Sequence, residues 1–576
     1  MDAIYGFSGR PDPTRLDQMD AMLSHRGSER VRDIAPQGTI GIRHRADVSR
    51  TIYRDGDLSL SLIGQLSNDG RAVDEPDLKT LAARFRREGI GALDALRGAF
   101  IVVIRDGETW HMVRDGAGVR TVYWTVHEGR FRFAIEPKSL LSDRALPRKI
   151  RPGALAQYLT YSFVPGRDTM LDGLQELKPA HRLRWSPGHA PVEQRWFSYD
   201  DPPESSRSDA EWCATFREAM GKAVRERMPG GNGPVGVFLS GGIDSSIVAA
   251  ELVRQTSRPI HSYTVHFGAD YPSEIEFARS VAQRLGTKHQ ELEVRPESFV
   301  PRLRKIAWHL DEPIGDPIAV PNFELAGMAA SDVGHVFNGE GGDPCFGGPK
   351  NVSMMLHHWY GGEPLAPGFR ERWYLASYRR AYGELGRLIS PEWREQIDEK
   401  RDLEQILTPY FETSHPTRFL DKLMSINIQL KGAHLILPKV DRMLGAWGLG
   451  VASPLFDERM LAFSYALPGH LKLAAGVEKI ILKEAYRNDL PAEVIARPKS
   501  GMRVPVHWWF QDELRRLALE LLSPRSIREA GIFNPTRVRQ LLDYNTVEGP
   551  GRYGLRLWML ITFELWRRLV VEGESP

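Results

Sequence analysis

Cysteine is nearly absent: Cys213 and Cys345 are the only two in 576 residues. Two thiols build no disulfide framework, and neither lies in a CxxC or Cys/His spacing, which excludes the common structural zinc sites. An excess of charge of one sign is missing too. Lys plus Arg number 76 against 74 for Asp plus Glu, so a net charge of +2 leaves no overall electrostatic footprint for a nucleic-acid partner. Apolar runs such as "GAFIVVI" are far too short to span a bilayer, and the start "MDAIYGFSGRPDP" has no basic residues followed by an apolar segment. A soluble chain in the reducing cytoplasm, with neither membrane nor nucleic acid as partner, is expected. The sequence has no GxxxxGK[ST] phosphate loop, no internal repeat and no low-complexity tract.

What is present falls into two textures, as expected for a chain too long for a single core. Up to Tyr199, short strands alternate with turns: "GTIGIRH", "LSLSLIG", "GAFIVVIRDG", "TVYWTV" and "RFRFAIE", with a helix near "EPDLKTLAARFRREG". The polar, proline- and serine-rich "YDDPPESSRSD" reads as a linker. The predicted division is a first domain at 1–199, a linker at 200–208 and a second domain at 209–576. Ser208 and Glu211 have capping-box spacing, and Trp212, Phe216, Met220, Val224 and Met228 recur every fourth residue as one face of a helix. Strand and helix patterns then alternate through "VGVFL", "SSIVAAELVRQ", "IHSYTVHF", "SEIEFARSVAQRLG" and "HQELEV", which predicts a parallel sheet with helices on both faces. Beyond Gly361 the texture is mainly helical.

The stretch "PVGVFLSGGIDSSIVA" places Ser240, Gly241, Gly242 and Asp244 at the carboxyl end of a buried strand, where doubly wound sheets bind ligands. Amides beside glycines wrap an anion, and a helix N-terminus adds a favourable dipole, so phosphate is the natural guest. A carboxylate inside a phosphate loop repels its ligand unless a divalent cation bridges them, and Mg²⁺ suits oxygen donors. Release of pyrophosphate with transfer of AMP to a carboxylate is the expected chemistry.

"SGGIDSS" resembles the pyrophosphate loop of ATP pyrophosphatases, and nearly the whole chain resembles the asparagine synthetase family. "FNGEGGDPCFGG", "DEPIGDP", "VDRMLGAWGLGVASPLFD" and "EKIILKEAYRNDLPAEVIARPKSGMRVP" are similar to segments of its synthetase half. "RGAFIVVI", "VRDGAGVRTVYW" and "FAIEPKSLL" are similar to its glutaminase half. The resemblance implies an α+β, Ntn-hydrolase-like N-terminal sandwich and an α/β ATP-pyrophosphatase domain with a parallel sheet and helical additions. It implies that Ser240, Gly241, Gly242, Asp244, Ser245 and Ser246 cradle pyrophosphate, and that Asp244 and Asp343 hold Mg²⁺. Phe238, Val265 and Gly339 stand where the family reads adenine, and Lys499 and Lys479 at its two lysines facing the phosphates and the acyl-adenylate. Lys499 is expected to stabilise charge growing in the transition states. Glu340 is placed to orient or deprotonate an attacking amine or to pair with a lysine, with Asp441 as its partner or as half of a buried salt bridge. Cys345 is expected to be a small buried thiol.

Glutamine-dependent members of that family use a cysteine exposed after the initiator methionine; this chain has Asp2. "LIGQLSN" and "SHRGSER" also depart from the family's Asn-Gly-Glu and Arg-Gly-Pro-Asp segments. Ammonia is therefore not expected to be made here, the first domain is expected to be a retained scaffold, and the amine must come from somewhere else. Relatives with that property are the β-lactam and carbapenam synthetases and the lasso peptide cyclases. Pro344 and Cys345, together with the chain length, resemble the cyclases. The expected function is thus ATP-dependent macrolactam formation on a core peptide, between its α-amine and an Asp or Glu side chain. A leader-binding protein and a leader peptidase are the implied partners. "GGPKNVSMMLHHWYGGEPLAPG" is expected to form a mobile lid or an ordinary surface loop. An ammonia-dependent asparagine synthetase or a small-molecule lactam synthetase is the alternative. tRNA thiolases share only the loop, and a non-catalytic ATP-binding partner would not keep Asp244, Asp343 and Lys499.

Overall fold

The computed structural model describes residues 2–68, 71–73, 77–199, 206–348, 350–360, 367–378, 380–498, 500–547 and 553–576. Most of the expected linker, 200–205, lies outside the described residues.

The amino-terminal half is a sandwich of two antiparallel sheets. One orders its strands Gln175–Glu176, Tyr123–His127, Arg130–Ala134, Asp2–Ser8, Gly38–His44, Glu29–Ala35. The other runs Val192–Arg195, His181–Trp185, Thr109–Arg114, Gly98–Asp106, Leu58–Asn68, Ile52–Asp55, with Arg71–Val73 paired to Leu58–Asn68. Strand periodicity explains the layering. Ile101 and Val103 join Ile4, Phe7, Ile40 and Ile42 in the core between the sheets, while Phe100, Val102 and Ile104 point to a second core. The helix Leu78–Glu88 covers that second core with Leu81, Ala82 and Phe85, and Asp77 caps it by accepting from the Thr80 amide at 3.0 Å.

The second half carries a five-stranded parallel sheet in the order Lys288–Glu293, Ile260–His266, Val235–Phe238, His335–Phe337, Gly450–Ala452. Helices Asp209–Arg225, Ile243–Gln255 and Ile275–Leu285 pack on one face, and Ala319–Ala329 and Leu437–Gly445 on the other. The capping box at Ser208 and Glu211 is formed, and Trp212, Phe216, Met220 and Val224 are buried. Met228 falls beyond the helix, which ends at Arg225. Chain order reverses at Val235–Phe238: two strands follow on one side and two on the other. That reversal opens a crevice at the carboxyl end of this strand.

The segment expected as a lid or loop contains a helix, Lys350–Tyr360. Its proline and glycine residues lie at the ends, and the intervening "NVSMMLHHWY" has none to break a helix. The carboxyl-terminal helix Tyr553–Trp566 packs back on the sandwich: the Tyr158 hydroxyl donates to the Met559 carbonyl at 2.8 Å. Among the described residues no helix is long and apolar enough to cross a membrane.

Glu458 is buried where the halves meet and accepts from the Gly116 amide at 3.0 Å. Burial, aided by nearby Asp115, pushes its carboxyl from 4.5 up to about 8. A carboxyl raised on folding keeps its proton where the unfolded chain has lost it, so this group subtracts stability as pH rises from 4.5 toward 8. Glu458→Gln is expected to flatten the decline of melting temperature between pH 5 and pH 8; a decline as steep as in the native protein would contradict that assignment.

Candidate active site

The chain must turn from the strand Val235–Phe238 into the helix Ile243–Gln255 beside the neighbouring helix Ile275–Leu285. Gly241 makes the turn with φ +73°, and a Cβ there would come 2.6 Å from the Ala278 amide nitrogen. Serines fix the rest. The Ser245 hydroxyl accepts from the Ser240 amide at 3.1 Å and donates to the Gly242 carbonyl at 3.2 Å. Ser246 is fully buried, with its hydroxyl donating to the same carbonyl at 2.8 Å.

A second loop follows the adjacent strand, His335–Phe337. Asn338 holds it: its Oδ1 accepts from the Glu340 amide at 3.0 Å and from the Ser453 hydroxyl at 2.9 Å. The two loops are pressed together so closely that a Cβ on Gly342 would lie 2.1 Å from Asp244 Oδ1. Between them enters a third segment. Lys479, wholly buried, places Nζ 2.5 Å from Asp244 Oδ2 and 2.5 Å from Asp343 Oδ1. Its backbone is left-handed, φ +57°, an uncommon state for a lysine that aims this side chain inward.

These loops bound a cavity of about 270 Å³ that adjoins one of about 140 Å³, sharing Ser240, Thr264, Val265, Gly501 and Met502. Of the residues expected from sequence, Phe238, Ser240, Asp244, Ser245, Val265, Gly339, Glu340 and Asp343 line the larger cavity. Gly241, Gly242 and Ser246 shape the loop instead, and Lys479 reaches the lining through its two carboxylates. Lys499 lies outside the described residues. Asp441 is a correction to the role beside Glu340 and fits the alternative of a salt bridge: its carboxylate is not on the cavity but pairs with Arg26 at 2.8 Å and Arg120 at 3.5 Å. Cys345 is fully buried, and burial pushes its thiol well above the usual range, the state of an inert core thiol.

Three charged groups that the sequence reading passed over line the same cavity: Asp316, Lys431 and Lys439. Lys439 donates to Asp316 at 2.6 Å, and although burial pushes the Asp316 carboxyl up, the ammonium outweighs it and leaves it below the ordinary range. Burial pushes the Lys431 ammonium down, with Lys439 in support and Asp343, Asp316 and Glu340 opposing. Lys431 projects from a π-helical stretch, Asn427–Ile436, a form frequent at functional sites. The available signal is two lysines in the mainly apolar "IQLKGAHLILPKV". Arg497 is a further addition: it pairs with Glu274, donates to the Gly241 carbonyl at 3.3 Å and lies over the Phe277 ring at 4.1 Å.

The model of the asparagine synthase family matches residues 215–568, more than half of the chain and all of the segments that build this cleft. The chain belongs to the asparagine synthase family. A glutamine amidotransferase domain model matches residues 60–197 of the sandwich. This asparagine synthase family member is 26% identical over 523 residues to asparagine synthetase [glutamine-hydrolyzing] 1 of Bacillus subtilis, covering 86% of this chain and 82% of that protein. It is 24% identical over 556 residues to amidase chry2 of Gibberella zeae, covering 84% and 81%. The family member is an ATP-dependent amide-forming ligase.

Its donor set also bears on a metal. Asp244 and Asp343 converge on one cationic nitrogen, and a pair of hard oxygen donors with room for phosphates is how Mg²⁺ is usually held. Among the described residues no group of three or more His, Cys, Asp or Glu forms a protein-only cage. The residues present therefore fit a cation shared with a phosphate ligand. In the sandwich, Asp2 is buried and ionic: Arg50 lies 2.5 Å from its Oδ2, which also accepts from the Gly64 amide at 2.9 Å. Burial opposes ionisation there, but Arg50 and Arg120 hold the carboxyl far below the usual range.

Asp244→Asn and Asp343→Asn are each expected to weaken binding of ATP with Mg²⁺ by about tenfold or more in calorimetry, with circular dichroism unchanged. Undiminished binding in both variants would displace the phosphate site. Lys439→Met is expected to lower the rate of pyrophosphate release by about 10²-fold, the scale of losing one aimed cationic donor.

Proposed function

We propose that this ligase is a lasso peptide cyclase, in which ATP activates an Asp or Glu side chain of a core peptide and the peptide's own α-amine closes a macrolactam. The observation that carries this reading is Asp2, whose carboxylate is bound by Arg50 and the Gly64 amide at the position where glutamine-using relatives are expected to present a thiol. A carboxylate so held has no means of releasing ammonia from glutamine, so the attacking nitrogen comes from another source, which on this reading is the acyl substrate's own amine. The same reading divides the chain into a scaffold domain at 1–199, a linker at 200–208 and a synthetase domain at 209–576.

In the first step the substrate carboxylate attacks the α-phosphorus of ATP and pyrophosphate leaves. Ser240 and Ser245 stand at the loop that receives the phosphates, and Phe238, Val265 and Gly339 line the cavity where adenine is placed. Asp244 and Asp343 would hold Mg²⁺, which would supply charge neutralisation for the phosphates. In the second step the α-amine attacks the acyl carbon, a carbon–nitrogen bond forms and AMP leaves. Glu340 faces the cleft as acceptor for the amine's proton, while Lys431 and Lys439 offset the charge of AMP and of the tetrahedral intermediate. Lys479 completes the cationic side, and Lys499 keeps the role the family resemblance implies, stabilising charge in the transition states. Holding the folded peptide in the cleft makes the second step intramolecular, which favours ring closure. A leader-binding protein and a leader peptidase are the proposed partners in the cytoplasm, with no role for nucleic acid or membrane.

The test is pyrophosphate release from ATP and Mg²⁺, comparing aspartate plus ammonia with a pool of precursor core peptides and following the acceptor by mass spectrometry. Peptide-dependent release with loss of one water from the peptide, without ammonia, is expected. Asparagine formed from aspartate and ammonia, with no peptide product, would return the chain to asparagine synthesis.

A further inference from the structure

The helix Leu437–Gly445 is held from two directions. Lys439 reaches Asp316 at 2.6 Å and lines the cleft with Val440. Asp441, two residues on and so about 200° around a helix of 3.6 residues per turn, faces the sandwich instead. There Arg26, 1% exposed, places Nη1 2.8 Å from Asp441 Oδ2, while its Nε donates to Glu136 at 2.5 Å. Arg120 stands 3.5 Å from the other Asp441 oxygen and 3.7 Å from Asp2 Oδ1. Asp2, Arg120, Asp441, Arg26 and Glu136 thus alternate in sign, with Asp441 of the cleft helix in the middle and the sandwich half at both ends.

Such a chain transmits position. A guanidinium presents its donors in a rigid plane, so a buried arginine shared by two carboxylates fixes their relative orientation. Removing one partner leaves an uncompensated buried charge, so the arrangement does not drift among alternatives.

We propose that the sandwich acts on the ligase site as a positioning clamp: Arg26, backed by Arg120 and Asp2, fixes the Asp441 carboxylate and so sets the rotation of the helix that delivers Lys439 to the cleft. A sandwich without an amine-releasing nucleophile then still has a task in amide formation. Arg26 and Asp441 are positioning residues, since neither touches the cavity. The clamp requires the ATP-dependent ligase chemistry of the cleft and is indifferent to which carboxylate is activated.

The experiment compares the full-length protein with Arg26→Gln, Arg26→Lys, Asp441→Asn and Arg148→Ala. The last removes a different contact between the halves, from Arg148 to the Val570 carbonyl at 2.7 Å. Amide hydrogen exchange over 437–445, melting temperature, and kcat and KM for ATP are measured, turnover being read with whichever of aspartate or the peptide pool the native protein accepts. Arg26→Gln and Asp441→Asn are expected to speed exchange over 437–445 and to lower kcat about tenfold or more, with KM for ATP within about twofold. Arg26→Lys recovers part of both, and Arg148→Ala changes neither. Native exchange and native kcat in folded Arg26→Gln, or an equal effect of Arg148→Ala, would overturn the clamp. If Arg26→Gln fails to fold, Arg120→Gln takes its place, because Arg120 is more exposed and carries the same link. Exchange over 437–445 reads the clamp even if no peptide is a substrate, so the two proposals fail separately.

Discussion

Asp244 and Asp343 belong to loops after different strands, and bringing two carboxylates together in a cleft is unfavourable unless a cation stands between them. Lys479 is that cation, 2.5 Å from each. Removing the lysine would leave Asp244, which is largely buried, without its partner, whereas Asp343 keeps part of its carboxylate in water. Everything else at the site is arranged around this meeting point. Gly342 lacks the atom that would collide with Asp244, and Lys479 adopts a left-handed backbone that carries its side chain inward. The parallel sheet supplies the two adjacent strand ends from which the loops depart.

The same point suits the chemistry. A protein that must bind a polyphosphate beside carboxylates needs positive charge that can be shared or handed over, and here it comes from two directions. Lys479 lies beneath the loops, whereas Lys431 and Lys439 approach from the facing helical wall, where Asp316 anchors Lys439. The opposite face of that wall meets the sandwich. The amide-forming cleft is therefore built by one half of the chain but held in register by both.

The parts of this arrangement that are readable in the sequence are the local ones. "SGGIDSS" declares a tight turn and a helix start at the end of a buried strand, whereas "NGEGGD" is legible only through its similarity to a family loop. The parallel sheet and the sandwich were readable because strand and helix periods differ. Asp316, Lys431 and Lys439 were not, since what makes them part of the site is proximity across long stretches of chain, and a lysine carries no mark of the cavity it faces. Asp441 illustrates the limit. "KVDRM" contains both a cleft residue and an interface residue, and only the rotation of the helix decides which is which; the sequence leaves a cleft role and a salt bridge both open for the aspartate, and it is the lysine two places earlier that faces the cavity. The helix Lys350–Tyr360 is hidden in the sequence by the glycines and prolines at the ends of its segment, which read as loop.

The central claim is that Asp244 and Asp343 form one cation site, occupied by an ammonium without nucleotide and by a shared metal with it. The most direct measurement is a crystal structure with ATP and Mn²⁺ in place of Mg²⁺, using the anomalous signal of manganese to locate the metal. An anomalous peak coordinated by Asp244, Asp343 and the phosphates, with Lys479 turned from the carboxylates toward a phosphate oxygen, is the predicted result. Nucleotide bound in the cleft with Lys479 still bridging both carboxylates, and manganese elsewhere, would contradict it.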